Sequence, residues 1–312
     1  MNLRLGLSTK RLLDSSMLYS RQLNYSMEAQ PNLAKICSGT DIKPILVFLG
    51  GGQMATALVE GAVAKGFVTK EQVAVTARTE QTVKKWINRG YPNVSVDNKA
   101  FVEKYKSGIF FLAMKPQSRH GLYASGCDFT DCRVVCLMAG IDLKTLNEEL
   151  PGATQTRLMR LHPNVAAAVG ASTSILSTPA GCCPEQEKIV RAFANCSGSC
   201  FDVEENKYDA AGTIVGCSPA WVFSMIEALS DGGVLAGVPR DVASKLAAQA
   251  VMGAAKLVVE TGEHPGVLKD KVCSAGGTTI AGVRVLEAKG MRSGFIEAVK
   301  AATDRAGELG KK

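Results

Sequence analysis

Four apolar runs, spaced along the first half of the chain and punctuated by glycine or proline, restrict the fold more than any other feature. Ile45-Leu46-Val47-Phe48-Leu49 stops at Gly50-Gly51-Gly52, and Val73-Ala74-Val75-Thr76 leads into Ala77-Arg78. Ile109-Phe110-Phe111-Leu112-Ala113-Met114 stops at Lys115-Pro116, and Arg133-Val134-Val135-Cys136-Leu137-Met138 closes at Ala139-Gly140. A run without polar alternation has both faces buried, as in a parallel sheet covered by helices on each side. Helical patterns intervene, through Ala55, Leu58, Val59 and Ala62, and from Thr82 to Asn88, where Gly90 stops the helix. Arg157–Leu161 and Thr173–Leu176 supply two shorter strands. After about Val203 strand-like runs disappear. Ala220–Leu235, Asp241–Thr261, Thr279–Lys289 and Gly294–Leu309 read as helices, with Asp241 as an N-cap and Gly262 as the residue that ends the second. That helix is dense in alanine and glycine, which suits close wrapping by other helices, in its own domain or in a dimer partner. The expectation is an α/β fold. A Rossmann-type doubly wound sheet occupies 44–203, and an all-helical domain occupies 204–312.

Residues 1–43 form a third region. They carry Arg4, Lys10, Arg11, Arg21, Lys35 and Lys43 against only Asp14, Glu28 and Asp41. This basic, leucine- and serine-containing segment looks like a mitochondrial transit peptide, and a plain disordered extension is the alternative. The expected localisation is the mitochondrial matrix, or else the cytoplasm. The ten cysteines include no Cys-x-x-Cys pair, and the three histidines complete no zinc spacing, so the thiols read as reduced, packed side chains in a reducing compartment. The net charge of +7 is not concentrated in any basic block, which argues against nucleic-acid binding. Lys245, Gln249 and Lys256 interrupt the alanine-rich stretch, and no membrane span is expected.

Gly50-x-Gly52-x-x-Ala55 lies between a strand and a helix, the context a dinucleotide fingerprint requires. The first glycine turns the chain, the second lets backbone approach a pyrophosphate, and the small third residue packs helix on strand. Thr76-Ala77-Arg78-Thr79-Glu80 follows the second strand. Arg78 with the hydroxyls of Thr76 and Thr79 matches a ribose 2′-phosphate, favouring NADPH, whereas Glu80 as the acidic residue leaves NADH open. Lys115 and Pro116 close the third strand at the edge where such folds bind ligands. Far downstream, Cys273-Ser274-Ala275-Gly276-Gly277-Thr278-Thr279 feeds a helix whose first N–H groups can hold a small carboxylate.

Several long motifs, in order, resemble the pyrroline-5-carboxylate reductases. They are Phe48–Ala55 with Gly50, Gly51, Gly52, Gln53 and Met54; Ala113-Met114-Lys115-Pro116-Gln117; Glu227–Val234 with Gly237-Val238-Pro239-Arg240; and His264 through Ile280. The resemblance covers about Leu46 to Leu309. It implies hydride transfer from NADPH to the C=N carbon of 1-pyrroline-5-carboxylate, giving L-proline. It further implies a helical domain that dimerises and, in many members, builds larger rings. Ser274, Gly276, Gly277, Thr278 and Thr279 would hold the small imino acid substrate, with the Thr279 hydroxyl at the ring nitrogen as the catalytic group. Asn98 would lie near the adenosine ribose. The chain departs from the family at Pro163-Asn164-Val165-Ala166, where Pro-Asn-Thr-Pro is usual, and at Val215-Gly216-Cys217-Ser218-Pro219-Ala220, where Ser-Gly-Ser-Gly-Pro-Ala is usual. Two other readings stay open. One is a reductase of a different cyclic imine. The other is an NADPH-binding interaction protein with weakened catalysis. A β-hydroxyacid dehydrogenase would need a lysine between Ala220 and Leu235, and none is there.

Overall fold

The computed structural model describes residues 32–309, so the basic segment over residues 1–31 lies outside the described residues. Eight strands form one sheet in the order β3-β2-β1-β4-β5-β6-β7-β8. They are β1 (Leu46–Leu49), β2 (Val73–Thr76), β3 (Asn93–Ser95), β4 (Ile109–Leu112), β5 (Arg133–Cys136), β6 (Leu158–His162), β7 (Ser172–Ser177) and β8 (Gly198–Asp202). All neighbours are parallel except β6 and β7. The expected α/β sheet is therefore present, with β3 and β8 added at its two edges.

The apolar runs became central strands because each feeds two cores. Leu46 and Phe48 of β1, with Ile109 and Phe111 of β4, enter one cluster, while Val47, Leu49, Phe110 and Leu112 enter the other. This is the period-two alternation of a strand covered on both faces. On the first side α1 (Leu33–Cys37), α2 (Gln53–Ala64) and a later helix, Pro184–Asn195, cover the sheet. Phe48 stacks on Phe111 with ring centroids 4.7 Å apart, and Phe193 of that later helix meets Phe111 at 4.9 Å. The second side is covered by α4 (Asn98–Lys104), α5 (Arg119–Tyr123) and α6 (Leu143–Glu149); α3 (Glu80–Asn88) carries Trp86 into the first core. Helix starts follow side-chain capping. Thr79, Asp97 and Asp142 accept from the backbone N–H groups of Thr82, Ala100 and Thr145.

Two boundaries differ from the sequence expectation. Leu33 and Ile42 are buried, and the Leu33 N–H donates to the Phe67 carbonyl at 2.8 Å, so the folded domain begins before residue 44. At the other end the compact units divide between Gly216 and Cys217, inside α8 (Tyr208–Leu235), not after residue 203. With the helix Pro184–Asn195 as α7, the helical part continues as α9 (Arg240–Thr261), α10 (Pro265–Val272), α11 (Thr278–Ala288) and α12 (Met291–Leu309). Pro239, not Asp241, is the N-cap of α9, because proline at that point fixes the extended turn and leaves Asp241 in the first helical turn. Gly262 ends α9 in the left-handed conformation, as expected. All ten cysteines are free. Burial pushes the Cys196 and Cys200 thiols up to about 12, which keeps them protonated and inert at neutral pH.

Candidate active site

The register places three turns on one edge of the sheet. Leu49 pairs with Thr76 on one side and with Leu112 on the other, so Gly50, Ala77 and Ala113 leave the sheet side by side. The order reverses here, since β1 lies between β2 and β4 and the crossovers depart in opposite directions. Such a switch point is where open α/β sheets bind ligands. The Gly50 N–H donates to the Thr76 carbonyl at 3.1 Å, and the Ala113 N–H to the Leu49 carbonyl at 2.9 Å. Gly50 has φ +114°, and a Cβ there would meet the Ala113 carbonyl oxygen at 2.6 Å. No other residue fits both the conformation and the space.

Gly51 is pinned from the far side, where the Trp86 indole N–H donates to its carbonyl at 3.0 Å. Gly52 is the N-cap of α2, without a side-chain cap and with open space where a Cβ would stand. The first-turn N–H groups, from Gln53 and Met54 onward, are thus left to an outside acceptor, at the positive end of a twelve-residue helix. Gln53 is exposed, while Met54 packs its side chain against the core. The donor set fits a pyrophosphate.

At the end of β2, Arg78 is exposed, and no ion pair holds it among the described residues. Thr79 caps α3, its hydroxyl accepting from the Thr82 N–H at 3.3 Å. The Thr76 hydroxyl, expected to help hold a 2′-phosphate, is buried and donates to Asn98 Oδ1 at 2.6 Å. It positions Asn98 and has no lone contact to offer a ligand, so the phosphate-binding group reduces to Arg78 and the start of α3. Asn98 is half-buried, and that bond leaves its Nδ2 hydrogens unused. Lys115 is exposed beside Pro116, which opens a single 3-10 turn at the end of β4. The sheet edge therefore gathers Gly50, Gly51, Gly52, Arg78, Thr79, Asn98, Ala113, Lys115 and Pro116.

The second expected group lies in the helical unit. Ser274 begins a turn in which its carbonyl accepts from the Gly277 N–H at 3.1 Å. Gly276 has φ +66°, and Gly277 is the uncapped N-cap of α11. The Ser274 hydroxyl lies against the Gly277 α-carbon. Thr278 and Thr279 are the first two residues of the helix, with the Thr279 side chain partly buried. The uncapped helix start, with Ser274, Thr278 and Thr279 beside it, could hold a small anion without a charged side chain.

Two features escaped the sequence reading. Arg160 of β6 is buried, donates to Glu205 Oε1 at 2.8 Å and Asp209 Oδ1 at 3.2 Å, and lies 3.8 Å over the Tyr208 ring. Glu205 Oε1 also accepts from the Leu143 N–H at 2.9 Å. One guanidinium thus joins β6 to the start of α8 and to α6. His162, two residues on, is partly buried near Arg160. Burial and then the Arg160 charge hold its pKa below the ordinary histidine value. Nothing short-range announces either feature, since the partners are 45 and 49 residues from Arg160.

Comparison with known proteins agrees with this arrangement. A family model described as pyrroline-5-carboxylate reductase dimerisation matches residues 205–309, and one described as NADP oxidoreductase, coenzyme F420-dependent, matches residues 45–140. The pyrroline-5-carboxylate reductase of Synechocystis is 40% identical over 269 residues, covering 86% of this chain and 98% of that protein. The Methanosarcina acetivorans enzyme of the same name is 38% identical, covering 85% and 97%. Among solved structures, a pyrroline-5-carboxylate reductase from Coxiella burnetii superimposes with a TM-score of 0.74 at 27% identity, covering 85% of this chain and 97% of that one. With identity at this level over nearly the full length of its relatives, the chain belongs to the pyrroline-5-carboxylate reductase family.

Proposed function

We propose that this chain reduces 1-pyrroline-5-carboxylate to L-proline with NADPH, as a homodimer built through its helical unit. The observation that carries the reading is a pair of uncapped, glycine-led helix N-termini, at Gly52 and at Gly277. One suits the pyrophosphate of a dinucleotide and the other the carboxylate of a small imino acid. Family membership supplies the substrate's identity. When bound, NADPH supplies the hydride that the C=N carbon accepts.

The chain's own residues bind and orient. The α2 N-terminus receives the pyrophosphate, the Arg78 guanidinium fork meets the 2′-phosphate, which a carboxylate side chain in its place would repel, and Asn98 donates toward the ribose. The α11 N-terminus fixes the carboxylate, and the Thr279 hydroxyl reaches the ring nitrogen and passes on a proton, which water returns to it, as the C=N bond is reduced. An imine that arrives protonated is already electrophilic, so orientation does most of the catalysis and no His–Asp pair is needed.

The test follows NADPH absorbance with pyrroline-5-carboxylate, repeated with NADH. Oxidation with proline formed in equal amount is expected. NADPH binding without turnover would point to an interaction protein, and activity only with other cyclic imines would reassign the substrate. Thr279→Ala should lower kcat by about 10²-fold, within the usual range for a positioned proton donor, with NADPH affinity unchanged. Equal losses in turnover and cofactor affinity would remove the role given to Thr279.

A further inference from the structure

Pro219 lies inside α8 and brings no N–H to the helix ladder. The carbonyl it leaves without its helical donor is that of Val215, four residues back. Val215 is buried, so water is a poor substitute. Its carbonyl instead accepts from Asn164 Nδ2 at 3.3 Å, across 51 residues of sequence. The same side chain's Oδ1 accepts from the Ala166 N–H at 3.2 Å, and the Asn164 N–H donates to the Ser172 hydroxyl at 3.2 Å. One partner demands a donor and the other an acceptor, so the amide orientation is fixed and only an amide serves both.

The neighbouring contact is equally specific. A Cβ on Gly216 would meet His162 Nε2 at 2.7 Å, so the helix lies close on the end of β6 only because residue 216 has no side chain. His162 and Asn164 thus grip adjacent residues of α8, one by close approach and one by a hydrogen bond.

We infer that Asn164 is a positioning residue for the reaction, acting through the Val215 carbonyl that Pro219 frees. The inference rests on the proposed reductase activity. Asn164 holds the turn of α8 that carries Val215-Gly216-Cys217-Ser218, in a segment where this chain departs from its family's usual residues. Val165 and Ala166 replace the usual threonine and proline, but the bracket uses the Asn164 side chain and the Ala166 backbone N–H. The Asn164 side chain survives that replacement, and alanine at 166 brings the N–H that its Oδ1 accepts, a donor the usual proline would lack.

A double-mutant cycle in the full-length protein tests this. Asn164→Asp keeps the acceptor for Ala166 and loses the donor to Val215; Asn164→Ser also keeps an acceptor, adds no charge, and carries its hydroxyl too short to reach the Val215 carbonyl. Pro219→Ala restores an N–H that can reclaim the Val215 carbonyl. We expect Asn164→Asp to lower kcat by about tenfold with KM for NADPH unchanged, and to cost little further in the Pro219→Ala background. Amide exchange at residues 213–219, a reading that needs no substrate, should accelerate in Asn164→Asp and return toward the parent rate in the double variant. Equal losses from Asn164→Asp in both backgrounds, in turnover and in exchange, overturn the inference, as does an unaltered Asn164→Ser. Absence of turnover in the parent protein would instead reject the reductase reading while the exchange cycle still decides the role of Asn164.

Discussion

At the scale of single residues, the site depends on places where only one side chain, or none, is compatible with its surroundings. Gly50 is the clearest, since its φ of +114° and the nearby Ala113 carbonyl exclude every Cβ. The sequence shows this residue as the first glycine of a fingerprint, and the structure gives the steric reason. His162 is the opposite case. Its burial near Arg160, with Asp209 the facing carboxylate, keeps the imidazole neutral. A depressed pKa means that the unfolded chain binds the proton first as pH falls. Stability should therefore decline as pH drops below about 6.5, the ordinary histidine value, toward the lower folded value. Urea midpoints at pH 7.5 and 5.5 should shift more for the parent protein than for His162→Gln, and identical shifts would show that His162 contributes nothing. The Asn164–Val215 contact was invisible in the sequence because it depends on where a β6 turn meets a helix begun forty residues later. The proline that makes it necessary was in plain view.

At the scale of elements, the central strands were legible because each is apolar on both faces, a pattern no amphipathic helix shares over so short a run. The edges were not. Asn93-Val94-Ser95 and Gly198-Ser199-Cys200-Phe201-Asp202 have little apolar content, and pairing with a neighbour, not hydrophobicity, makes them strands. Helix α7 could have been found, since Gln186, Ile189, Val190 and Phe193 recur at helical spacing and are all buried. The junction of β6 with α8 rests on Arg160, whose guanidinium is buried while Glu205 and Asp209 keep partial access to water. Removing that one cation leaves two carboxylates and the Tyr208 face without their partner. Arg160→Met should cost about 3 kcal/mol, at the lower end for broken buried pairs because the carboxylates can rehydrate. Glu205→Gln, which keeps the acceptor for Leu143, should cost clearly less. Chemical denaturation of both variants measures this, and equal costs would show that the guanidinium does not organise the junction.

At the scale of the whole molecule, the helical unit carries more apolar surface than it covers. Leu235, Leu246 and Ile296 are 91%, 60% and 68% exposed. Helix α9 and the stretch 205–235 even reach the length and mean hydropathy of a bilayer span, at 1.4 and 1.3, beyond what the sequence reading allowed. Glu227, Asp231, Lys245 and Lys256 punctuate them, and the homodimer proposed above would cover that surface. Leu246→Asp should thus halve the mass seen by sedimentation velocity, and an unchanged mass would exclude α9 from the subunit contact. A different consequence comes from α1. Leu33, Ile36 and Ile42 are core residues, each stabilising the fold by about 1.5–3 kcal/mol. The Asp41 carboxylate further pairs with the Arg133 guanidinium at 2.6 Å, at the start of β5. Any enzyme that shortens the amino terminus therefore faces a thermodynamic stop. A cut at residue 43 would take the whole helix Leu33–Cys37, with its core residues, out of the domain.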